Sequence, residues 1–179
     1  LSSYHLAPDL IPVYLDALVK YEIKYILGYP SAIYTLATEA INLRRDDIKM
    51  AVVITNAEPL FDFQRSVISS AFACPVRETY GMAEVVAAAS ECDHGSLHQW
   101  PDTGIIEAGS ENASDTGDFV CTGLINLDMP LIRYRVGDGG KLSDEKCLCG
   151  KTVPLIDRVE GRSDDLLYTM DGRRVGRMD

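Results

Sequence analysis

Apolar residues recur at helical spacing in three stretches of the first 75 residues, and short apolar runs separate these stretches. The helical stretches extend from Pro8-Asp9 to about Tyr21, from Ala32 to Ile41 and from Leu60 to Phe72. The apolar runs lie at Tyr25–Leu27 and Met50–Ile54, and we predict another strand at Val76–Tyr80. Strands that alternate with helices of about ten residues or more are typical of right-handed βαβ units. We therefore predict a parallel sheet over residues 20–90.

Beyond residue 100 the pattern changes to short alternating segments that Gly, Asp and Pro interrupt. These segments are Gly104–Ala108, Asp118–Thr122 and Leu131–Val136. Such segments indicate antiparallel strands. Leu155–Asp165 then leads to a hairpin around the turn dipeptide Asp171-Gly172. The predicted fold class is α/β, with a parallel βαβ sheet over residues 1–100, a smaller antiparallel β-subdomain over 101–158 and a terminal hairpin over 159–179.

Composition excludes several classes of protein. Of the 179 residues, 46% are hydrophobic and 25% are charged, which is typical of a globular chain with a packed core. A formal net charge of −10 disfavours nucleic acid and anionic membranes as partners. The longest apolar run, Val85–Ala89, is far shorter than the roughly 20 residues that span a bilayer. Five cysteines, an odd number, and an amino terminus without a secretory pattern favour reduced thiols and a cytoplasmic location.

Acidic residues follow three of the predicted strands. Glu58, Glu84 and Asp138 each occupy a segment after a strand, with Asp138 in the glycine-rich segment Gly137–Gly140, which we expect to be a loop. Ligands of open α/β sheets bind beyond the carboxyl ends of strands. An Asp beside glycines can accept hydrogen bonds from a ribose, and a Glu can hold Mg²⁺. Ordinary turn and helix-start chemistry is the alternative interpretation.

Cysteine and histidine residues form two clusters about fifty positions apart. Cys92 and His98 lie in one predicted loop, and Cys147 and Cys149 lie in a second. Together they offer the Cys₃His set of a tetrahedral zinc site, with His94 as the competing imidazole. Reduced turns without metal are the alternative, because the spacing is not that of the common Cys-x₂-Cys ribbons.

Two further cysteines and one arginine have separate interpretations. Cys74 and Cys121 occur in apolar contexts, so we expect them to pack in the core. Arg162, in Gly161-Arg162-Ser163-Asp164-Asp165, can pair with a phosphate or a carboxylate. A simple surface turn is the alternative for this segment.

Five ordered motifs together resemble the AMP-forming acyl-CoA synthetase (adenylate-forming) superfamily. They are Gly28-Tyr29-Pro30-Ser31, Asn56-Ala57-Glu58-Pro59, Tyr80-Gly81-Met82-Ala83-Glu84, Arg133-Tyr134-Arg135-Val136-Gly137-Asp138 and Gly161-Arg162-Ser163-Asp164-Asp165. Within the superfamily the chain resembles the phenylacetate–CoA ligase branch. Its ending, Asp171–Arg177, is similar to that of the CapK-like proteins associated with capsular polysaccharide genes.

The resemblance implies a role for each matching residue of the nucleotide site. Ala57 and Glu58 would lie along the adenine, and Tyr80 would stack on it next to Gly81 of the same nucleotide-binding motif. Glu84 would hold the Mg²⁺ bound to ATP, and Asp138 would accept from both ribose hydroxyls.

The remaining roles concern the phosphate side, the hinge and the metal. Arg162 would contact the ribose and phosphate side. Asp164 would be the hinge about which a small C-terminal domain rotates, which makes residues 159–179 the start of that domain. Cys92, His98, Cys147 and Cys149 match a zinc-like site of this branch, which favours structural Zn²⁺.

The implied reaction has two steps and requires more protein than this chain. A small carboxylate attacks the α-phosphate of ATP to give an acyl-adenylate, and a thiol such as CoA then displaces AMP. The phosphate loop of the family would lie before Leu1 and its mobile catalytic Lys after Asp179, so we expect an internal fragment that is nearly inactive alone. The missing N- and C-terminal parts of the same enzyme would be its partners, and exposed apolar surface would favour self-association.

Three alternatives to CoA ligation remain open. The acceptor of a CapK-like protein in capsular polysaccharide biosynthesis could be a sugar hydroxyl or amine. The chain could transfer AMP itself to an acceptor. It could also be a non-catalytic, zinc-stabilised interaction module, which would not bind AMP.

Overall fold

The computed structural model describes residues 6–109, 116–162, 167–168 and 174–175. The chain divides into two compact units, Leu1–Glu78 and Thr79–Asp179, which we call the first and the second unit. Among the described residues no helix is long and apolar enough to cross a bilayer.

The first unit is built from alternating helices and strands. Its elements are α1 (Ile11–Lys20), β1 (Tyr25–Gly28), α2 (Pro30–Asn42), β2 (Val52–Thr55), α3 (Asp62–Phe72) and the beginning of β3 (Val76–Gly81). Strand β1 pairs in parallel with β2, and β2 pairs in parallel with β3. The parallel βαβ arrangement predicted for this part of the sequence is therefore confirmed.

The core of the first unit comes from the apolar faces of its three helices and from the central strand. Leu15, Ala37, Val53, Ile68 and Phe72 have no measurable exposure. Their helical and strand spacing is the pattern that predicted these elements, because burial on one face is what gives a helix its apolar period. Cys74 is buried in the same core, as predicted.

The second unit is an antiparallel β-structure. After the end of β3 its strands are β4 (Ala88–Glu91), β5 (Leu97–Gln99), β6 (Gly104–Ala108), β7 (Gly117–Gly123), β8 (Tyr134–Ser143), β9 (Leu155–Arg162), β10 (Leu167–Tyr168) and β11 (Arg174–Val175). The order of the pairing is β3-β4-β5-β9-β8-β7-β6, and β10 pairs separately with β11. All of these pairs are antiparallel. A second core, which includes Val86, Phe119, Cys121 and Ile156, lies against this sheet.

Two predictions for the second unit need correction. The sequence places a strand at Leu131–Val136, whereas β8 begins only at Tyr134 and continues to Ser143. It also places Gly137–Gly140 in a loop, yet all four residues are part of β8, where Gly140 is opposite Gly117 on one side and Val159 on the other. Gly139 and Gly140 pair with β7 on one side and with β9 on the other, and this pairing makes them part of the strand.

The two strands of the predicted terminal hairpin are present, as β10 and β11. Leu167 is opposite Val175, and Tyr168 is opposite Arg174, as an antiparallel hairpin requires. The turn Asp171-Gly172 and the predicted hinge residue Asp164 lie outside the described residues. The domain boundaries at residues 100 and 158 stay predictions.

Candidate functional site

Tyr80 and Asp138 are joined by a hydrogen bond within the second unit. The Tyr80 hydroxyl, near the end of β3, donates to Oδ2 of Asp138 in β8 over 2.9 Å. The Tyr80 ring makes an edge contact with Phe119, with 5.8 Å between ring centroids, and Phe119 is fully buried. Burial and, next, the Asp138 carboxylate raise the pKa of Tyr80 far above its usual range, against an opposing effect of Arg162. The phenol therefore stays protonated and remains a donor.

Arg162 is the cross-strand neighbour of Asp138. It is the last residue of β9 and is opposite Asp138 in the register of β8 and β9. A methyl group at Gly137 would lie 3.1 Å from Nη2 of Arg162, and Gly137 has a φ of +82°. Only glycine combines that backbone conformation with so close an approach of the guanidinium at low cost. The structure thus brings Tyr80, Asp138 and Arg162 together.

Glu84 follows β3 in a turn and is paired with a tyrosine that the sequence analysis did not single out. The hydroxyl of Tyr134, the first residue of β8, donates to Oε1 of Glu84 over 3.3 Å. The Glu84 side chain is half-buried. Tyr134 stands in the same motif as Asp138, four residues before it, but its contact with Glu84 depends on tertiary structure that strand spacing does not reveal.

Ala57 and Glu58 belong to the first unit. They follow β2, and Ala57 adopts a left-handed φ of 65°. Oε2 of Glu58 accepts a hydrogen bond from the backbone N–H of Ser31 over 3.2 Å. Ser31 lies in the first turn of α2, where a carboxylate is favoured by the unpaired N–H groups and the helix dipole. The adenine contacts implied for these two residues stay predictions.

Gly81 ends β3 and is opposite Ala88 of β4. It is exposed, and a methyl group there would meet only the Ala87 carbonyl oxygen, at 3.8 Å. Its nucleotide-binding role also stays a prediction.

The four predicted zinc ligands converge in the second unit. One potential ligand atom from each of Cys92, His98, Cys147 and Cys149 lies within 4.8 Å of all the others. The Sγ atoms of Cys92 and Cys147 are 3.6 Å apart, and Cys149 Sγ is 3.3 Å from Nε2 of His98. Bonds of about 2.3 Å to sulfur and 2.0–2.1 Å to nitrogen place the ligand atoms of a tetrahedral Cys₃His zinc ion about 3.5–3.8 Å apart, close to the 3.6 and 3.3 Å found here. The residues fit such an ion.

Sheet structure selects the histidine. His98 lies in β5, paired with Ser90 and Leu155, and is 3% exposed, so the prediction that it occupies a loop is wrong. His94, the competing imidazole, is exposed in the turn between β4 and β5. Successive side chains of a strand point to opposite faces of the sheet. In β5 the side chain of His98 is on the same face as the three cysteines.

The environment of the thiols favours the thiolate at two positions. A hydrogen bond from the side chain of Ser96 and another from the backbone of Cys149 lower the pKa of Cys147 to about 7. Burial raises the pKa of Cys92, but hydrogen bonds from the backbone of Ser96 and His94 outweigh it, and the pKa is lowered. The Nδ1 atom of His98 is buried and pairs with no group among the described residues, which leaves Nε2 as the nitrogen directed at the cysteines.

Comparison with known proteins gives relatives by sequence. No protein-family model matches the chain. The chain is 27% identical over 176 residues to Protein CapK of Staphylococcus aureus, a match that covers 96% of this chain and 38% of that protein. It is 31% identical over 157 residues to a phenylacetate-coenzyme A ligase of Pseudomonas putida, covering 79% of this chain and 34% of the ligase. The chain thus spans little more than a third of the length of these relatives.

Two solved structures have the same fold as this chain. One is a 2-hydroxyisobutyryl-CoA ligase in the postadenylation state, in complex with 2-HIB-AMP. It superposes on this chain with a TM-score of 0.80 at 22% identity, and the match covers 95% of this chain and 39% of the ligase chain. Another is the anthranilate CoA ligase AuaEII in complex with anthranoyl-AMP. It superposes with a TM-score of 0.64 at 13% identity, and the match covers 95% of this chain and 35% of the ligase chain. The α/β fold predicted from the sequence is that of adenylate-forming ligases.

Proposed function

We propose, from the relationship of this chain to the adenylate-forming superfamily in both sequence and fold, that it forms part of an ATP-dependent ligase that activates a carboxylate as acyl-AMP. The observation that supports this most directly is the contact between Tyr80 and Asp138, the aromatic and acidic residues of two separate motifs of the superfamily. The resemblance implies an aromatic ring that stacks on the adenine and a carboxylate that accepts from the ribose, and this contact brings the two side chains next to each other.

The second unit would hold the nucleoside through three side chains. Asp138 would accept hydrogen bonds from the ribose hydroxyls, because an ionised carboxylate has four acceptor positions. The ring of Tyr80 would stack on the adenine. Arg162, whose guanidinium is next to Gly137, would donate to the ribose and phosphate side.

Catalysis of adenylation depends chiefly on position and charge. In the first step a carboxylate oxygen of the substrate attacks the α-phosphorus of ATP, and pyrophosphate leaves. Residues that fix the nucleoside place the α-phosphate for in-line attack, which lowers the entropic barrier. A Mg²⁺ ion held by the oxygen atoms of Glu84 would neutralise phosphate charge. The Tyr134 hydroxyl donates to the same carboxylate and restricts its orientation.

The acceptor of the acyl group has two candidates. Phenylacetate-coenzyme A ligases are relatives over 79% and 77% of the chain, which supports CoA as the thiol that displaces AMP. Protein CapK is a relative over 96% of the chain. The second candidate, acyl transfer to a non-CoA acceptor in capsular polysaccharide biosynthesis, is the one that the resemblance to CapK-like proteins implies. Mass analysis of the acylated product, made with the full-length protein, separates the two.

Binding of AMP to the purified chain tests the proposed function. By isothermal titration calorimetry we expect a dissociation constant on the order of 0.1 mM, and at least a tenfold loss on Asp138→Ala. Asp157→Ala is the matched control, since Asp157 is an exposed β9 carboxylate that pairs with Lys141 over 3.4 Å. It should change the affinity less than about twofold. A folded chain that binds no AMP would instead support the non-catalytic interaction module.

We also propose that Cys92, His98, Cys147 and Cys149 hold a structural zinc ion. The mutual distances of the four ligand atoms support the proposal. Four protein ligands complete a tetrahedral shell and leave no position for a substrate, which is typical of a structural zinc ion. Such an ion would link β5 and the turn that carries Cys147 and Cys149, and would have no direct part in adenylation.

Elemental analysis of the purified chain tests the zinc proposal. One zinc per chain is expected, and His98→Ala should remove it, because a three-thiolate set binds zinc less tightly than the complete set. His94→Ala is the matched control, since it deletes the neighbouring exposed imidazole and should retain the metal. Zinc retained by His98→Ala but lost in His94→Ala would contradict the ligand assignment.

A further inference from the structure

Two hydrogen bonds cross between β8 and the segment that contains Tyr80 and Glu84. Tyr80 donates to Asp138, and Tyr134 donates to Glu84. The spacing is four residues on both segments, so each segment supplies one tyrosine and one carboxylate. The two bonds link β8 to the end of β3 and to the turn after it. Two hydrogen bonds therefore hold the segment that contains Asp138 next to the one that contains Tyr80.

The hydroxyl of Tyr80 is held in place by its ring. The ring packs edge-on against Phe119, whose side chain has no exposure and belongs to the second core, against which Tyr80 packs. Its bond to Oδ2 of Asp138 is 2.9 Å long. Rotation about the last side-chain torsion of an aspartate is otherwise broad. A fixed donor on one oxygen therefore selects one orientation of the carboxylate plane.

The selected orientation matters for a vicinal diol. To accept from both ribose hydroxyls a carboxylate must present its two oxygens side by side at a fixed angle. Each oxygen has two acceptor positions, so Oδ2 can keep the Tyr80 bond and still accept a ribose hydroxyl. Hydrogen bonds to an ionised acceptor are also stronger than neutral ones.

We propose that Tyr80 is a positioning residue that acts through its hydroxyl, orienting the Asp138 carboxylate for the two ribose hydroxyls of the nucleotide. This role rests on the proposed function and adds to the stacking of the Tyr80 ring on adenine. It makes the site selective for ribonucleotides through a residue that does not itself touch the sugar.

A pair of nucleotides separates the hydroxyl of Tyr80 from its ring. AMP offers both ribose hydroxyls, and 2′,3′-dideoxy-AMP offers neither, so only AMP depends on the orientation of Asp138. Calorimetric titration of the wild-type chain should give a preference for AMP of at least about tenfold. Tyr80→Phe keeps the ring and should weaken AMP binding about five- to tenfold, while the affinity for the dideoxy nucleotide changes less than about twofold.

Three further variants control the comparison. Tyr14→Phe removes a hydroxyl from a half-buried tyrosine of the first unit and should leave both affinities unchanged. Replacement of Tyr80 by 4-aminophenylalanine restores a donor on the ring and should recover the preference. If Tyr80→Phe fails to fold, 4-aminophenylalanine and 4-fluorophenylalanine at position 80 make the same comparison of donor and non-donor.

Each outcome decides the inference. A preference that falls in Tyr80→Phe and returns with the amino group supports it. An unchanged preference, or an equal loss for both nucleotides, overturns it and leaves the proposed function standing. A folded wild-type chain that binds neither nucleotide overturns the proposed function, and the inference with it.

Discussion

Gly140 occupies a position in β8 that has no room for a side chain. A methyl group there would overlap the carbonyl oxygen of Arg158 and lie 2.5 Å from Cζ of Phe119, whose ring supports Tyr80. Because backbone and a fully buried ring must both move, we expect Gly140→Ala to lower the free energy of unfolding by about 2 kcal/mol. Urea denaturation followed by circular dichroism measures this.

Gly28→Ala is the control for that substitution. Gly28 ends β1, and a methyl group there would make an ordinary contact of 3.7 Å with Ile33. Its effect should be within about 0.5 kcal/mol. Equal losses for the two variants would show that the packing around β8 is looser than the structure indicates.

The types of the site residues are predictable from the sequence, whereas their partners are not. Asp138 and Glu84 stand out because each follows a predicted strand within a recognisable motif, and the Cys₃His set stands out because its four soft ligands fall in two clusters. Tyr80 and Asp138 are 58 positions apart, and Glu84 and Tyr134 are 50 positions apart. Contacts between residues so distant in sequence cannot be predicted from a local pattern. A polar hydroxyl within the motif that carries Asp138 is the one signal that could have drawn attention to Tyr134.

At the scale of elements, local periodicity predicts the first unit better than the second. Helices α1, α2 and α3 and strands β1 to β3 agree with the apolar pattern within about two residues, since each buries one continuous face. Strands β4 and β5 were not predicted. Ala88–Glu91 and Leu97–Gln99 are short and partly polar, and they become strands by pairing with each other and, for β5, with the distant β9.

The proposed zinc site also makes a prediction at this scale. Its ligands lie next to β4, in β5 and in the turn around Cys147 and Cys149, so removal of the ion should loosen these segments. Hydrogen–deuterium exchange after treatment with a chelator should be faster there and unchanged in α1, α2 and α3. Exchange that is equally unaffected in all segments would count against a resident metal.

His98→Ala provides the control for that measurement. A variant without the ion should already exchange fast in β4 and β5, and the chelator should have no further effect on it. A chelator effect of the same size in His98→Ala would mean that the reagent acts elsewhere on the chain.

At the scale of the whole molecule, apolar side chains of β1 remain exposed. Tyr25 is 68% and Leu27 66% exposed, and among the described residues β1 pairs only with β2. An edge strand with apolar side chains favours association with a second chain. We expect the mass measured by light scattering to rise with concentration and the variant Tyr25→Thr/Leu27→Lys to remain monomeric.

Val13→Lys is the control for surface charge. Val13 is an exposed apolar residue of helix α1 and not of a strand, and its replacement adds the same positive charge. The variant should associate like the wild type. Loss of association in Val13→Lys alone would place the contact surface on the helix.

Tyr80, Asp138 and Arg162 are the residues that we propose to form the nucleoside-binding part of an adenylate-forming ligase. A crystal structure of the chain with AMP would show whether they do so. We expect both ribose hydroxyl oxygens within about 3.2 Å of the Asp138 carboxylate, the adenine against the Tyr80 ring and Arg162 on the phosphate side. AMP bound away from Asp138 and Tyr80 would contradict it.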